Sequence, residues 1–249
     1  MLLLIDAGNT RIKWALAHPD AEAGHLEAAG ALFHAELDDL GNILAQHHLH
    51  RACIANVAGE AMAAQLSALL QASGLKDTSL HWFRARAQQA GVSNSYRDPQ
   101  QLGCDRFASL LGARGLFPEQ SLIIVTAGTA TTIDALHASG RFLGGIILPG
   151  LGTMAQSLAL STAQLPRVET HDARLDFADN TLDAIVSGCL HAQVGAIAQA
   201  RAKLPGARCL LSGGAASHLL PYLPAPIEQV DQLVLRGLHI AALSESSEL

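Results

Sequence analysis

The chain opens on an apolar run broken by a single carboxylate. Leu2-Leu3-Leu4-Ile5 is continuous, Asp6 ends it, and Ala7-Gly8-Asn9-Thr10 follows as a polar, glycine-bearing stretch. Ile12, Trp14 and Leu16 then recur at every second position. A short continuous apolar run reads as a strand buried on both faces, and period-two alternation as a half-buried one. Residues 1–6 and 11–17 are therefore predicted as strands, with a third near 27–33. Helices are predicted over 37–48 and 59–73, the second with Gly59 near its start and Gly74 just past its end. Ala52–Val57 and Ser79–Phe83 read as further strands, and 99–116 as a helix with Pro99 in its first turn.

The pattern then repeats. LLLIDAGNTRIKWAL at 2–16 and LIIVTAGTATTIDAL at 122–136 share a hydrophobic strand, an Ala-Gly turn and a return to alternation. Self-similarity at this separation predicts two related domains. Residues 140–148 would be the third strand of the second meander, with helices following near 150–160 and 179–203. Cys209–Leu211 reads as a strand running into Ser212-Gly213-Gly214; a helix, a short strand near 227–230 and a last helix from 232 close the chain. The boundary is expected at Phe117-Pro118-Glu119-Gln120, giving domains 1–117 and 118–249.

Composition narrows the classes. At 249 residues the chain has room for two domains of about 120 residues, each with its own core. Frequent glycine and scarce aromatics suit an α/β protein with tight turns better than an aromatic-rich sandwich. A net charge of −6 without any basic run argues against nucleic acid or an anionic membrane as the main partner. No uncharged apolar stretch reaches membrane-spanning length, and Met1–Ile5 is too short for a signal peptide. Cys53, Cys104, Cys189 and Cys209 form no C-x-x-C pair and read as reduced thiols of a cytoplasmic protein.

Three glycine-bearing turns follow predicted strands: Asp6 to Thr10, Ala127 to Ala130, and Ser212 to Gly214. Glycine lets backbone N–H groups approach an anion, and adjacent N–H groups form a concave anion site. A neighbouring carboxylate such as Asp6 can hold Mg²⁺ through water, and Lys13 can reach a phosphate as a point charge. Taken alone, each turn reads first as a β-hairpin turn. Two matching turns at the heads of duplicated domains instead suggest a clamp for a nucleoside triphosphate.

The motifs resemble a known family. Asp6-x-Gly8-Asn9-Thr10-x-x-Lys13, Gly128-Thr129-Ala130-Thr131-Thr132 and Gly213-Gly214 resemble the phosphate-1, phosphate-2 and adenosine motifs of the acetate and sugar kinase, Hsp70 and actin superfamily. More telling is N-x-Y-x-x-P-x-x-L-G-x-D-R over Asn94–Arg106, which closely resembles the signature of type III pantothenate kinases, also described as the Bvg accessory factor family. Gly144-Gly145-x-Ile147-x-Pro149-Gly150 and Asp231-x-Leu233-Val234-Leu235-x-Gly237-Leu238 match it too.

The resemblance implies two duplicated actin-like (ribonuclease H-like) domains, each a mixed five-stranded sheet with flanking helices. It implies ATP-dependent phosphorylation of pantothenate with Mg²⁺, the first step toward coenzyme A, by a homodimer. Asp105 would be the base that accepts the proton of the pantothenate hydroxyl. Tyr96, Gly103, Cys104, Arg106 and Thr181 would hold the acceptor. Asp6, Ala7, Gly8, Asn9, Thr10, Arg11, Ile12, Lys13 and Thr129 would hold ATP, with Asp6 also on Mg²⁺ through water. One position departs from the pattern. The family's second turn usually opens on an aspartate tied to K⁺ or ammonium, and here Thr126 stands there, which puts that monovalent-cation site in doubt. The alternatives are a non-catalytic regulatory protein of the same fold, or a superfamily kinase acting on another alcohol. His47, His48 and His50 lack a completing partner for zinc and read as a solvated helix end.

Overall fold

In the first strand both faces are apolar, so it must lie between two layers. β1 (Leu2–Ala7) is buried at every position and is central in a five-stranded sheet ordered β3-β2-β1-β4-β5. β2 (Arg11–Ala17) and β3 (Ala28–Phe33) run antiparallel beside it. β4 (Arg51–Asn56) and β5 (Leu80–Trp82) run parallel on its other side. Leu3, Ile5 and Ala7 pack against α1 (Leu37–Leu44) and α2 (Glu60–Ala72) through Leu40, Leu44, Met62, Leu66 and Leu70. Strand alternation turns Leu2, Leu4 and Asp6 to the opposite face. The computed structural model describes residues 1–162, 165, 166, 168 and 175–246.

After β5 come a two-stranded ribbon, β6 (Gln88–Gln89) and β7 (Val92–Ser93), and α3 (Cys104–Leu116). The second five-stranded sheet has the same plan, ordered β10-β9-β8-β11-β12. Its strands are β8 (Leu122–Ala127), β9 (Ala130–Leu136), β10 (Phe142–Pro149), β11 (Arg208–Ser212) and β12 (Glu228–Gln229). Ile123, Val125 and Ala127 pack against α4 (Leu151–Ser161), α5 (Thr181–Lys203) and α6 (Ala216–Leu219). α7 (Leu233–Ser246) ends the described chain. α5 is long and apolar enough to cross a membrane by length and composition. Its Ile185, Val186, Cys189, Leu190 and Ile197 nevertheless belong to the second sheet's core.

The compact units are Met1–Pro118 with Gly140–Phe142 and Gln232–Leu249, and Glu119–Ser139 with Leu143–Asp231. The chain thus changes unit at Pro118, but the last helix belongs to the first unit rather than to a sequential second half. The reason is packing. Gly237 brings α7 against the Ala108 carbonyl on α3, and a Cβ there would sit 1.7 Å from that oxygen.

Two local readings need correction. The helix expected over 37–48 stops at Leu44, where Ala45, Gln46 and His47 turn the chain by bonding back to Gly41, Ile43 and Leu44 carbonyls. The helix expected over 99–116 is split, with a 3₁₀ turn at Pro99–Gln101 before α3. Asp98 accepts from Gln100 N–H at 3.0 Å and caps that turn, while extended backbone at Leu102 separates it from α3. The two repeated hairpins also differ in register. Asp6 faces Lys13 across the first, whereas Thr126 faces Thr132 across the second. The second turn is one residue shorter, since Gly8 N–H bonds to Arg11 O but Gly128 N–H to Ala130 O. Thr132, not Ile133, therefore occupies the place of Lys13.

Candidate active site

In open α/β sheets ligands gather at the carboxyl ends of strands, where neighbouring connections diverge. β1 is such a place, with an antiparallel neighbour on one side and a parallel one on the other. Asp6 lies at that end, only 7% exposed, and Lys13 Nζ is 3.7 Å from its Oδ2. Burial pushes the Asp6 carboxyl up to about 6; Lys13 pulls it down and the nearby negative charge of Asp105 raises it. A buried carboxylate thus has an ammonium beside it and feels the charge of a second, half-buried carboxylate in the same unit.

The turn after Asp6 is open to solvent at Asn9, Thr10 and Arg11. Gly8 N–H closes it onto Arg11 O at 3.1 Å. Arg11 lies 4.6 Å over the Phe33 ring. Ala7 and Ile12 are wholly buried, so as expected nucleotide contacts they have only backbone groups to offer.

Asp105 stands in the first turn of α3, where a carboxylate is favoured by the helix dipole. Its Oδ1 accepts from Arg106 N–H at 2.8 Å. Gly103 precedes α3 and leaves room for the acid. A Cβ at Gly103 would lie 2.7 Å from Asp105 Oδ1. Cys104 donates weakly to Asn56 O at 3.6 Å, and burial pushes its thiol up to about 11, which keeps it protonated at neutral pH.

Arg106 is 7% exposed and donates to Tyr96 Oη at 3.0 Å, with its guanidinium 5.8 Å from the Tyr96 ring centre. Tyr96 in turn stacks on Phe142 at 5.6 Å. Asn94 holds the loop, accepting from Tyr96 N–H at 3.1 Å and donating to Pro99 O at 3.0 Å. The five-residue spacing from Asn94 to Pro99 is thereby a framework for Tyr96. Sequence reasoning missed Phe142. The only signal was an aromatic, in a chain with few of them, inside the strand predicted over 140–148.

In the second unit, Thr129 O accepts from Gly150 N–H at 2.9 Å and Thr153 Oγ1 at 2.8 Å, which fixes its turn. Ala215 N–H donates to Ala127 O at 3.1 Å and ties the Gly213-Gly214 turn to the same strand end. Thr126 is half-buried and faces Thr132, whose buried Oγ1 has no hydrogen-bond partner among the described residues. Asp134 sits two residues further along β9, 1% exposed and opposite Ile124. Thr181 is the first residue of α5, after Asn180 has capped the helix by accepting from Asp183 N–H at 3.0 Å. It lines a concavity of about 780 Å³ between α4 and α5 with Met154, Leu158 and Gly188. Asp6, Lys13, Asp105, Arg106 and Tyr96 thus share one unit, and Thr129 and Thr181 the other.

The donor set fits one kind of metal. Among the described residues no three His, Cys, Asp or Glu side chains gather into a cage. Magnesium at phosphates takes only one or two carboxylates and keeps its waters, which Asp6 can serve. His48 and His50 meet edge to face at 5.0 Å beyond the end of α1.

Two copies of one mixed five-stranded plan, the first with a carboxylate and a glycine turn at the end of its central strand, place the chain in the actin-like fold class. The profile of the family described as type III pantothenate kinase matches residues 2–203. The chain belongs to the type III pantothenate kinase family. A type III pantothenate kinase of Janthinobacterium sp. (strain Marseille) is 48% identical over 258 aligned positions, covering 99% of each chain. That of Aromatoleum aromaticum is 49% identical over 251, covering 99% of this chain and 100% of the relative. Among solved structures, a Baf family transcriptional activator from Campylobacter jejuni superposes with a TM-score of 0.66 at 21% identity, over 99% of this chain and 100% of that one. The activator of 2-hydroxyisocaproyl-CoA dehydratase from Clostridium difficile, with bound ADPNP, does so with a TM-score of 0.56 at 12% identity, over 99% and 96%. At these identities the two structures speak to the fold.

Proposed function

We propose that this chain transfers the γ-phosphoryl group of ATP to the primary hydroxyl of pantothenate, making 4'-phosphopantothenate at the head of coenzyme A synthesis. The observation that carries the reading is the Asn94–Arg106 stretch, where Arg106 and Tyr96 are bonded to each other beside an acid whose charge Asp6 feels.

Asp105 accepts the hydroxyl proton as the oxygen attacks phosphorus; a positioned base of this kind contributes about 10²- to 10⁴-fold. Tyr96 and Arg106 orient the acceptor, and Thr181 contributes to holding it. Gly8, Asn9, Thr10 and Lys13 bind phosphate oxygens, and Thr129 does so from its own turn. Asp6 would hold Mg²⁺ through water, and when bound the ion would supply positive charge at the phosphates. Thr126 brings no charge to a monovalent cation, so turnover is expected with Na⁺ as well as with K⁺ or ammonium. The enzyme works in the cytoplasm, on a small molecule rather than on nucleic acid or membrane.

A homodimer is supported by β10, the edge strand of the second sheet. Leu143, Ile146 and Ile147 on it are 40%, 41% and 61% exposed. Apolar residues on a free edge invite pairing with another chain.

The test is ADP release by the purified protein with ATP and Mg²⁺, with and without pantothenate, in K⁺ or in Na⁺. Pantothenate-dependent release supports the kinase. A folded protein that releases no ADP with pantothenate, or does so only with another alcohol, refutes it.

A further inference from the structure

The turn that follows Asp6 is held from one side by a residue that no motif contains. His34 lies just past β3, in a short 3₁₀ turn, and its Nε2 is 2.8 Å from Gly8 O. A carbonyl can only accept, so Nε2 carries the hydrogen and donates it. Glu36 fixes where His34 stands by accepting from Phe33 N–H at 2.7 Å. Phe33, one residue earlier, packs its ring against Arg11 at the far side of the same turn.

A trans peptide unit is planar, with its C=O and N–H pointing in opposite directions. Pinning the Gly8 carbonyl toward His34 therefore turns the next amide, Asn9 N–H, away from His34. Among the described residues that N–H donates to no protein acceptor, and Asn9 is exposed. The arrangement leaves one backbone donor free and aimed outward from the turn.

We infer that His34 is a positioning residue for the nucleotide, holding the Gly8–Asn9 peptide so that Asn9 N–H meets a phosphate oxygen of ATP. The inference rests on the assignment of this turn to ATP phosphates. A free peptide could rotate and present its carbonyl to the phosphates, exchanging attraction for repulsion. His34 opposes that rotation without touching the nucleotide.

The test compares three variants with the wild type by calorimetric titration of ATP with Mg²⁺, by kcat and KM for each substrate, and by melting without nucleotide. His34→Leu keeps part of the ring's volume and loses the donor. His34→Gln places an amide N–H near the position of Nε2, whereas His34→Asn places one near Nδ1 and falls short. Expected is a roughly tenfold rise in Kd and KM for ATP in the Leu and Asn variants, the loss of about one hydrogen bond. KM for pantothenate and the melting temperature should stay near wild type, and Gln should restore most of the ATP affinity. Wild-type ATP binding in His34→Leu overturns the inference. So does equal damage in Leu and Gln variants, or a parallel rise in both KM values with a lowered melting temperature. If the wild type itself binds no ATP, the functional reading has failed before this one is reached.

Discussion

Gly103→Ala separates catalysis from stability. Gly103 has φ −52° and ψ 134°, a conformation alanine adopts freely, so the backbone carries no penalty. The new Cβ would sit 2.7 Å from Asp105 Oδ1. Carbon and oxygen need several tenths of an ångström more than that, and the carboxylate tip is the softest thing to move. The chain therefore keeps its fold, while Asp105 is displaced by about 0.5–1 Å and strains its bond to Arg106 N–H. A misplacement of that size costs about 10²-fold in rate at a reacting group. The expectation is a kcat reduced roughly 10- to 100-fold, with the melting temperature within about 2 °C of wild type. Coupled-enzyme assay of ADP and thermal melting are read on one preparation. Wild-type kcat would show that Asp105 is not the base or that its position is not critical. A melting temperature that collapses together with kcat would show that Gly103 serves the fold.

Gly237→Ala should do the reverse of Gly103→Ala. Its Cβ meets backbone, 1.7 Å from Ala108 O, so α3 and α7 must separate, at a cost of about 3 kcal/mol or a melting temperature lowered by roughly 6–12 °C. His239 is wholly buried, accepts from Gly24 N–H at 3.2 Å, and burial lowers its pKa from the ordinary value of 6.5. The unfolded chain then binds the proton first, so stability is full above about pH 6.5 and falls as pH drops below it. Melting between pH 7.5 and 5.5 should fall less in His239→Asn, which keeps an acceptor for Gly24; an unchanged slope would dismiss His239 as the source. Ile147→Asp charges the exposed edge of β10 and should give a monomer by light scattering at micromolar concentration; an intact dimer would place the interface elsewhere.

What the sequence revealed and what it hid have physical causes. β1 and β2 were legible because burial on both faces and alternation leave different period signatures, and the observed strands end within one residue of those predicted. The split before α3 was hidden because Pro99 opens a 3₁₀ turn as readily as an α-helix; only the extended backbone at Leu102 shows the break. The ribbon of β6 and β7 has two residues per strand, too few for any period. The return of α7 to the first unit depends on close approach between Gly237 and Ala108, a long-range fit with no local pattern. The contacts of Tyr96 with Phe142 and of His34 with Gly8 are 46 and 26 residues apart in sequence and equally invisible to it.

The duplicated hairpins show how one residue redistributes chemistry. Set end to end without a gap, Lys13 appears to match Ile133, and the second copy seems to have lost its base outright. The shorter second turn shifts β9 by one position, and in a strand such a shift exchanges the faces of every side chain. The true counterpart of the Asp6–Lys13 pair is Thr126 opposite Thr132, two hydroxyls in place of two charges. The proposed Mg²⁺ and phosphate sites would use fixed charge close by, and at its strand end the first copy sets Asp6 and Lys13 3.7 Å apart. The second copy keeps the turn, whose Thr129 carbonyl is held by Gly150 and Thr153, but dispenses with the ion pair. Restoring charge there by Thr126→Asp would place a carboxylate opposite the partnerless Oγ1 of Thr132, which can donate to it. A K⁺-dependent rise in turnover in that variant, absent from the wild type, is the expected result; equal K⁺ dependence in both would show that the hydroxyl at Thr126 never removed the cation's role.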